Sequence, residues 1–158
     1  MEIRRLEKKD RDVIKNFLER TGVFKKTEVT CAMELIDMEL FDPGQEDYLF
    51  KVVVDNNDQA IGYVCYGFVP LTDGVYDMYW IATDPVWQGK GVGKYLQKEM
   101  EAELKQKGVR MVLAETSSQD SYAKTRLFYK KRGYELVSTI KDFYSIGDDK
   151  LTYRKDIF

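Results

Sequence analysis

The stretch from Val75 to Lys94 constrains this chain more than any other part of it. Val75 to Ala82 is apolar at nearly every position near its end, as a strand covered on both faces requires. Asp84-Pro85 interrupts it. Glycine then recurs at every second residue (Gly89, Gly91, Gly93), and Val92, Leu96, Met100 and Leu104 take up helical spacing. A strand therefore passes through a glycine-rich turn into a helix whose first amides have no partner of their own. Glycine permits positive φ and lets a ligand approach the backbone. The helix dipole adds about half a positive charge at that end. The combination predicts a phosphate or diphosphate site.

Around this stretch the pattern predicts a strand over 3–6 and a helix capped by Asp10, with Val13, Ile14, Phe17 and Leu18 on its apolar face. A second helix is expected over about 27–40, then strands over 48–54, 59–69 and 75–82. A helix over about 91–107, a strand over 110–116, a helix over 121–132 and closing strands over 135–141 and 150–155 complete the chain. This order predicts an α/β (α+β) fold, a mixed and mostly antiparallel central sheet of about six to seven strands with helices on both faces. At 158 residues without an internal repeat, a single domain over 1–158 is expected.

Histidine is absent, which removes Ser-His-Asp triads, Cys-His dyads and His-ligated zinc. Catalysis must fall to carboxylates, Tyr, Cys, Lys, Ser/Thr or the backbone, and no metal is expected. A net charge of -2 argues against a nucleic-acid partner. No apolar run approaches the ~20 residues of a membrane-spanning helix, so no membrane partner is expected. Met1 to Glu7 lacks the apolar stretch of a signal peptide. Cys31 and Cys65 make no disulfide framework, and the expected location is the reducing cytoplasm.

Two nucleotide templates fail on the glycine-rich turn. A P-loop needs Gly at the position of Gln88 and Ser or Thr where Tyr95 stands, and the dinucleotide fingerprint does not tolerate glycines at every second residue. The spacing that fits is Gln/Arg-x-x-Gly-x-Gly, carried by Gln88, Gly91 and Gly93. It resembles the acetyl-CoA loop of the GNAT N-acetyltransferase superfamily. Asp84-Pro85 resembles the family's lead-in from its fourth strand. Leu127-Phe128-Tyr129-Lys130-Lys131-Arg132-Gly133-Tyr134 is similar to its second signature. The resemblance runs from about Gln59 to the C-terminus. Tyr122 stands where many members carry Asn, and Thr125 where a small Ala is common.

The resemblance implies direct transfer of the acetyl group of acetyl-CoA to an amine, on a small molecule or a peptide, within a ternary complex. The diphosphate would lie on the N–H groups of Gln88, Gly89, Lys90, Gly91, Val92, Gly93 and Lys94. Pantetheine amides would add as a strand to Trp80, Ile81 and Ala82, with the N–H of Ile81 or Ala82 serving the oxyanion. Among Lys124, Arg126, Lys130, Lys131 and Arg132, one would pair with the 3′-phosphate, with a plainly solvated helix face the alternative; Arg126 is counted with the cofactor-binding residues. Tyr129 is expected at the cofactor, protonating the departing thiolate, with plain packing against Phe128 under the sheet the alternative. Asp77 is the candidate general base, Glu115 its rival, and a structural ion pair of Asp77 the plain alternative. Cys31 and Cys65 are read as small buried hydrophobes rather than acetyl carriers.

Acceptor specificity is expected from the N-terminal helices, the 70–74 turn and the segment 142–149. Glu34, Asp37 and the aromatics Tyr63, Tyr66, Tyr76, Tyr79, Phe143 and Tyr144 are candidates there, with plain core the alternative for each aromatic. A homodimer stays open, because exposed terminal strands can pair between subunits. From another class, the alternative is a non-catalytic acyl-CoA-binding regulatory module of the same fold.

Overall fold

A computed structural model describes residues Met1–Phe158. Strand β1 (Glu2–Arg4) leads to helices α1 (Asp10–Arg20) and α2 (Lys26–Phe41). Strands β2 (Leu49–Val54), β3 (Ala60–Phe68) and β4 (Val75–Thr83) follow, then α3 (Val92–Gln106), β5 (Met111–Ser117), α4 (Ala123–Lys131), β6 (Glu135–Ser145) and β7 (Asp148–Asp156). The strands lie in the order β1-β2-β3-β4-β5-β7-β6. The β1–β2, β2–β3, β5–β7 and β6–β7 ladders are antiparallel, whereas β4–β5 is parallel. A parallel pair needs a long crossover, and α3 supplies it. The sheet is thus mixed and mostly antiparallel, in the element order the sequence pattern predicts. No helix is long and apolar enough to cross a membrane.

Tertiary contacts divide the chain into two compact units, Met1–Gly67 with Trp80–Glu103, and Phe68–Tyr79 with Leu104–Phe158. In the first, Ile14, Phe17 and Leu18 of α1 and Val29, Ala32, Met33 and Ile36 of α2 pack with Phe50, Val52, Val54, Ala60, Tyr63 and Cys65 of the strands. The i, i+3, i+4 spacing on α1 is what gives that helix one buried stripe. Asp10 is the first residue of α1 rather than its cap. Its buried carboxylate accepts a fork from Arg4 (2.7 and 2.9 Å) and the Glu7 N–H (2.9 Å), so it closes the β1–α1 turn instead. Arg11 ties α1 to α2 through Asp37, at 2.6 and 2.8 Å.

Gly62 lets α3 seat closely on β3. A Cβ there would lie 2.6 Å from Val92 Cγ1, 3.1 Å from the Ala82 carbonyl oxygen and 3.2 Å from Leu96 Cδ1. The start of α3 is therefore held against the strands by the absence of a side chain.

In the second unit Val112 and Ala114 of β5 are buried, as are Tyr129, Tyr134 and Tyr153. The Tyr129 ring sits 5.7 Å from Tyr134 and 5.5 Å from Tyr153. The predicted last helix divides into a 3-10 turn, Asp120–Tyr122, and α4. Strand β6 runs four residues beyond its predicted end at 141, to Ser145. Its ladder shifts between Ile140 and Ser145, where Asp142 adopts φ 55, and resumes at Ser145–Asp148. The Asp142 carboxylate accepts the Gly147 N–H at 2.8 Å, and the Asp149 carboxylate accepts the Asp142 N–H at 2.9 Å. The segment 142–149 is accordingly the closed tip of a hairpin rather than a free loop.

Replacing Gly62 by Ala should destabilise the protein by about 1–3 kcal/mol, because Val92 and the Ala82 carbonyl must both give way. Thermal unfolding should show a melting temperature several degrees lower; an unchanged value would mean α3 is not seated as described.

Candidate active site

In the first unit the end of β4 is fixed by one carboxylate. The Asp84 N–H donates to the Ile61 carbonyl (2.9 Å), and the Asp84 carbonyl accepts the Trp87 N–H (2.8 Å). Asp84 Oδ1 accepts the Val86 N–H at 3.0 Å, capping the 3-10 turn Pro85–Trp87. Asp84 Oδ2 accepts from Arg20 Nη2 at 2.9 Å. Asp and Pro at these positions favour such a turn, since Asx side chains bond to backbone two residues on and proline fixes φ.

The exposed loop that follows turns on Gly89 (φ 75) and Gly91 (φ 87). A Cβ at either would meet nothing within 4 Å, so it is the left-handed backbone that calls for glycine there, and the space beside the loop is open. The first helical bond of α3 is Tyr95 N–H to the Gly91 carbonyl, 3.0 Å. The N–H groups of Val92, Gly93 and Lys94 therefore have no acceptor within the helix. Val92 is buried beneath the loop, whereas Gln88, Gly89, Lys90, Gly91 and Lys94 are exposed. Lys90 Nζ lies 5.0 Å from the Trp87 ring. Amide donors, an open approach and the positive end of a helix dipole fit a diphosphate. On β4, Trp80 meets the edge of Phe24 with ring centroids 5.4 Å apart, Ile81 is half-buried and Ala82 joins the core.

In the second unit Asp77 pairs opposite Leu113 in the parallel β4–β5 ladder, and Glu115 stands two residues further along β5. Asp77 is half-buried. Burial raises its carboxyl above the ordinary aspartate value, the charge on Glu115 raises it further, and Lys150 opposes both. Lys150 Nζ lies 3.6 Å from Glu115 Oε1 and 4.3 Å from the Phe143 ring centroid. The cation acting on Asp77 is thus paired with Glu115. Tyr129 is 5% exposed, and burial, then the neighbouring Tyr153, pushes its phenol above the ordinary tyrosine value. It stays protonated through the neutral range.

Arg126 Nη1 donates to the carbonyls of Ser117 (2.9 Å) and Gln119 (2.7 Å), so its guanidinium clamps the connection from β5 to α4. Lys124, Lys130 and Lys131 are exposed. Cys31 is exposed and Cys65 buried, the latter with its thiol pushed up by burial. Tyr63 and Tyr66 are fully buried core residues, while Phe143 and Tyr144 are exposed. The same α1–α2 face of the first unit holds a cavity of about 740 Å³, bordered by Lys15, Glu19, Phe24, Lys26, Met33 and Glu34. Asp37 borders it as well, but its carboxyl is held below the ordinary range by the Arg11 guanidinium.

The acetyltransferase (GNAT) domain model matches residues 46–136, more than half of the chain, including the loop, Asp77, Glu115 and Tyr129. A structure from Desulfovibrio desulfuricans, assigned to the GNAT family, is 37% identical and superposes with a TM-score of 0.93 over 99% of both chains. PaiA N-acetyltransferase from Thermoplasma acidophilum, solved with coenzyme A, shares the fold at 19% identity and a TM-score of 0.73 over 98% of both chains. A [ribosomal protein bS18]-alanine N-acetyltransferase of Haemophilus influenzae is 33% identical over 99 residues; that match spans 63% of this chain and 63% of the relative. On the matched domain, with the Gln88–Lys94 loop inside it, the chain belongs to the GNAT family of acetyltransferases.

Proposed function

We propose that this protein is an acetyl-CoA-dependent N-acetyltransferase that passes the acetyl group directly to an amine. The observation that carries the reading is the loop at the start of α3: glycine-shaped, open, and leaving the amides of Val92, Gly93 and Lys94 without helical acceptors. The N–H groups of Gly89, Gly91, Val92, Gly93 and Lys94 hold the diphosphate, those of Gln88 and Lys90 being engaged by the Pro85 and Trp87 carbonyls at 3.4 and 3.3 Å, and Trp80, Ile81 and Ala82 receive the pantetheine arm. The relatives named as N-acetyltransferases favour catalysis over a purely regulatory acyl-CoA-binding module. Acetyl-CoA and an amine are its partners, and the free Cys31 and Cys65 suit a reducing cytoplasm.

Acetyl transfer sets three chemical demands. An alkylamine with a pKa near ~10.4 must lose a proton before it can attack. Asp77 takes that proton; its raised carboxyl brings it closer to the amine than an ordinary aspartate. The developing oxyanion is met by the backbone N–H of Ile81 or Ala82. Tyr129, protonated throughout the working range, supplies a proton to the departing thiolate.

The acceptor that best suits the cavity along α1 and α2 is a peptide amino group. Lys15 and Lys26 offset Glu19 and Glu34 around it, and Phe24 and Met33 give it apolar surface. A polyamine or aminoglycoside would meet two lysines; a peptide can use both signs of charge and the apolar surface. The Haemophilus relative acts on an alanine of a ribosomal protein.

Thiol release from acetyl-CoA should be measured across peptides, amino acids, polyamines and aminoglycosides. Release with peptides is expected; coenzyme A binding without release for any amine would instead identify the regulatory module. Tyr129→Phe should lower kcat by about 10²–10⁴-fold with little change in the KM for acetyl-CoA, and an unaltered kcat would remove Tyr129 from the chemistry. The pH dependence of kcat/KM separates the carboxylates. Asp77→Asn should abolish the ascending limb. Glu115→Gln removes a like charge and should move that limb to lower pH, whereas Lys150→Met removes an opposing charge and should move it higher. A limb that ignores all three would assign the base elsewhere.

A further inference from the structure

Arg20 lies at the last residue of α1, far in sequence from the cofactor loop, and no motif marks it. Its guanidinium is half-exposed, yet Nη2 donates to Asp84 Oδ2 at 2.9 Å while Nε donates to Asn16 Oδ1 at 2.7 Å. Asn16, one helical turn earlier, therefore orients the fork. Asp84 is 7% exposed, so its charge depends on partners inside the protein. Those are Arg20 on one oxygen and the Val86 N–H on the other. The Asp84 backbone meanwhile joins Ile61 of β3 on one side and Trp87 on the other. One carboxylate thus sets the direction in which the chain leaves β4 toward Gln88, and Arg20 holds that carboxylate.

We propose that Arg20 is a positioning residue for the diphosphate loop, acting through Asp84 on the turn from which Gln88–Lys94 departs. The proposal rests on the reading of that loop as the coenzyme A diphosphate cradle. Without Arg20 a buried carboxylate is left with a single donor. The carboxylate gains by turning toward water, which releases the Val86 N–H and loosens the Pro85–Trp87 turn. Several amides that must converge on one diphosphate then lose their common geometry. Arg20 reaches none of the groups assigned to the chemistry, so donor affinity falls while the chemical step is spared.

Two acetyl donors separate this from a general loss of stability: acetyl-CoA, and S-acetylpantetheine, which has the thioester and arm but no diphosphate. Arg20→Ala should raise the KM for acetyl-CoA about tenfold, as loss of one charge-assisted hydrogen bond, and leave kcat and all values for S-acetylpantetheine unchanged. Arg20→Lys should recover most of the loss. Asp84→Asn should act in the same direction, and the double variant should be no worse than the worse single one, since both break one link. An unchanged KM for acetyl-CoA, an equal rise for both donors, or additive effects would overturn the proposal. Should Arg20→Ala fold poorly, Arg20→Gln and Arg20→Lys carry the same comparison. If the unaltered enzyme uses S-acetylpantetheine as well as acetyl-CoA, the diphosphate reading itself fails and takes the Arg20 assignment with it.

Discussion

The proposed activity of this chain depends on backbone amides without helical acceptors where α3 begins. A helix cannot satisfy its own first donors, and most helices give them to a capping side chain or to water. Here Gly89 and Gly91 precede the helix in left-handed conformations with open space beside them, while the intervening Lys90 N–H and that of Gln88 donate to the Trp87 and Pro85 carbonyls. The arrangement must be kept rigid if several weak donors are to grip one anion. Gly62 sets the depth at which Val92 and Leu96 press α3 on β3, and Asp84 fixes the turn that leads in. Both supports lie in the same compact unit as the loop.

The proposed chemistry depends on a different kind of physics, the response of titratable groups to burial. Tyr129 sits among Tyr134 and Tyr153, where an ionised phenol would be poorly solvated, so it holds its proton more tightly than an ordinary tyrosine. Asp77 is raised by partial burial and by a neighbouring carboxylate, while Lys150 prevents the effect from running further. Sites that need a base and an acid at one pH commonly push the two groups by environment rather than by residue type. In a chain without histidine, that is the route open to it.

Element order and the glycine turn before α3 were legible in the sequence because both rest on local rules: period-2 and period-3.6 patterns, and glycine where φ must be positive. What sequence reasoning missed depends on contacts between distant segments. Asp10 reads as a helix cap, but the fork of Arg4 claims it. Arg126 reads as a candidate partner of the 3′-phosphate, and nothing local in the sequence shows that its Nη1 is held by two carbonyls of the preceding connection. The tip of the β6–β7 hairpin reads as loop because Asp142 breaks the ladder locally before it resumes at Ser145. Tyr63 and Tyr66, three residues apart, lie on opposite faces of β3, and both faces of that strand are covered, so side-chain direction carries no information there. Arg20 has no sequence signal at all; only the path of α1 brings it to Asp84.

Backbone amide NMR of the intact protein, titrated with coenzyme A, reaches the central claim most directly. The amides of Gly89, Gly91, Val92, Gly93 and Lys94 should show the largest shifts, in step and saturably. A titration that saturates elsewhere, or leaves those five resonances in place, would contradict the assignment of the diphosphate to the start of α3.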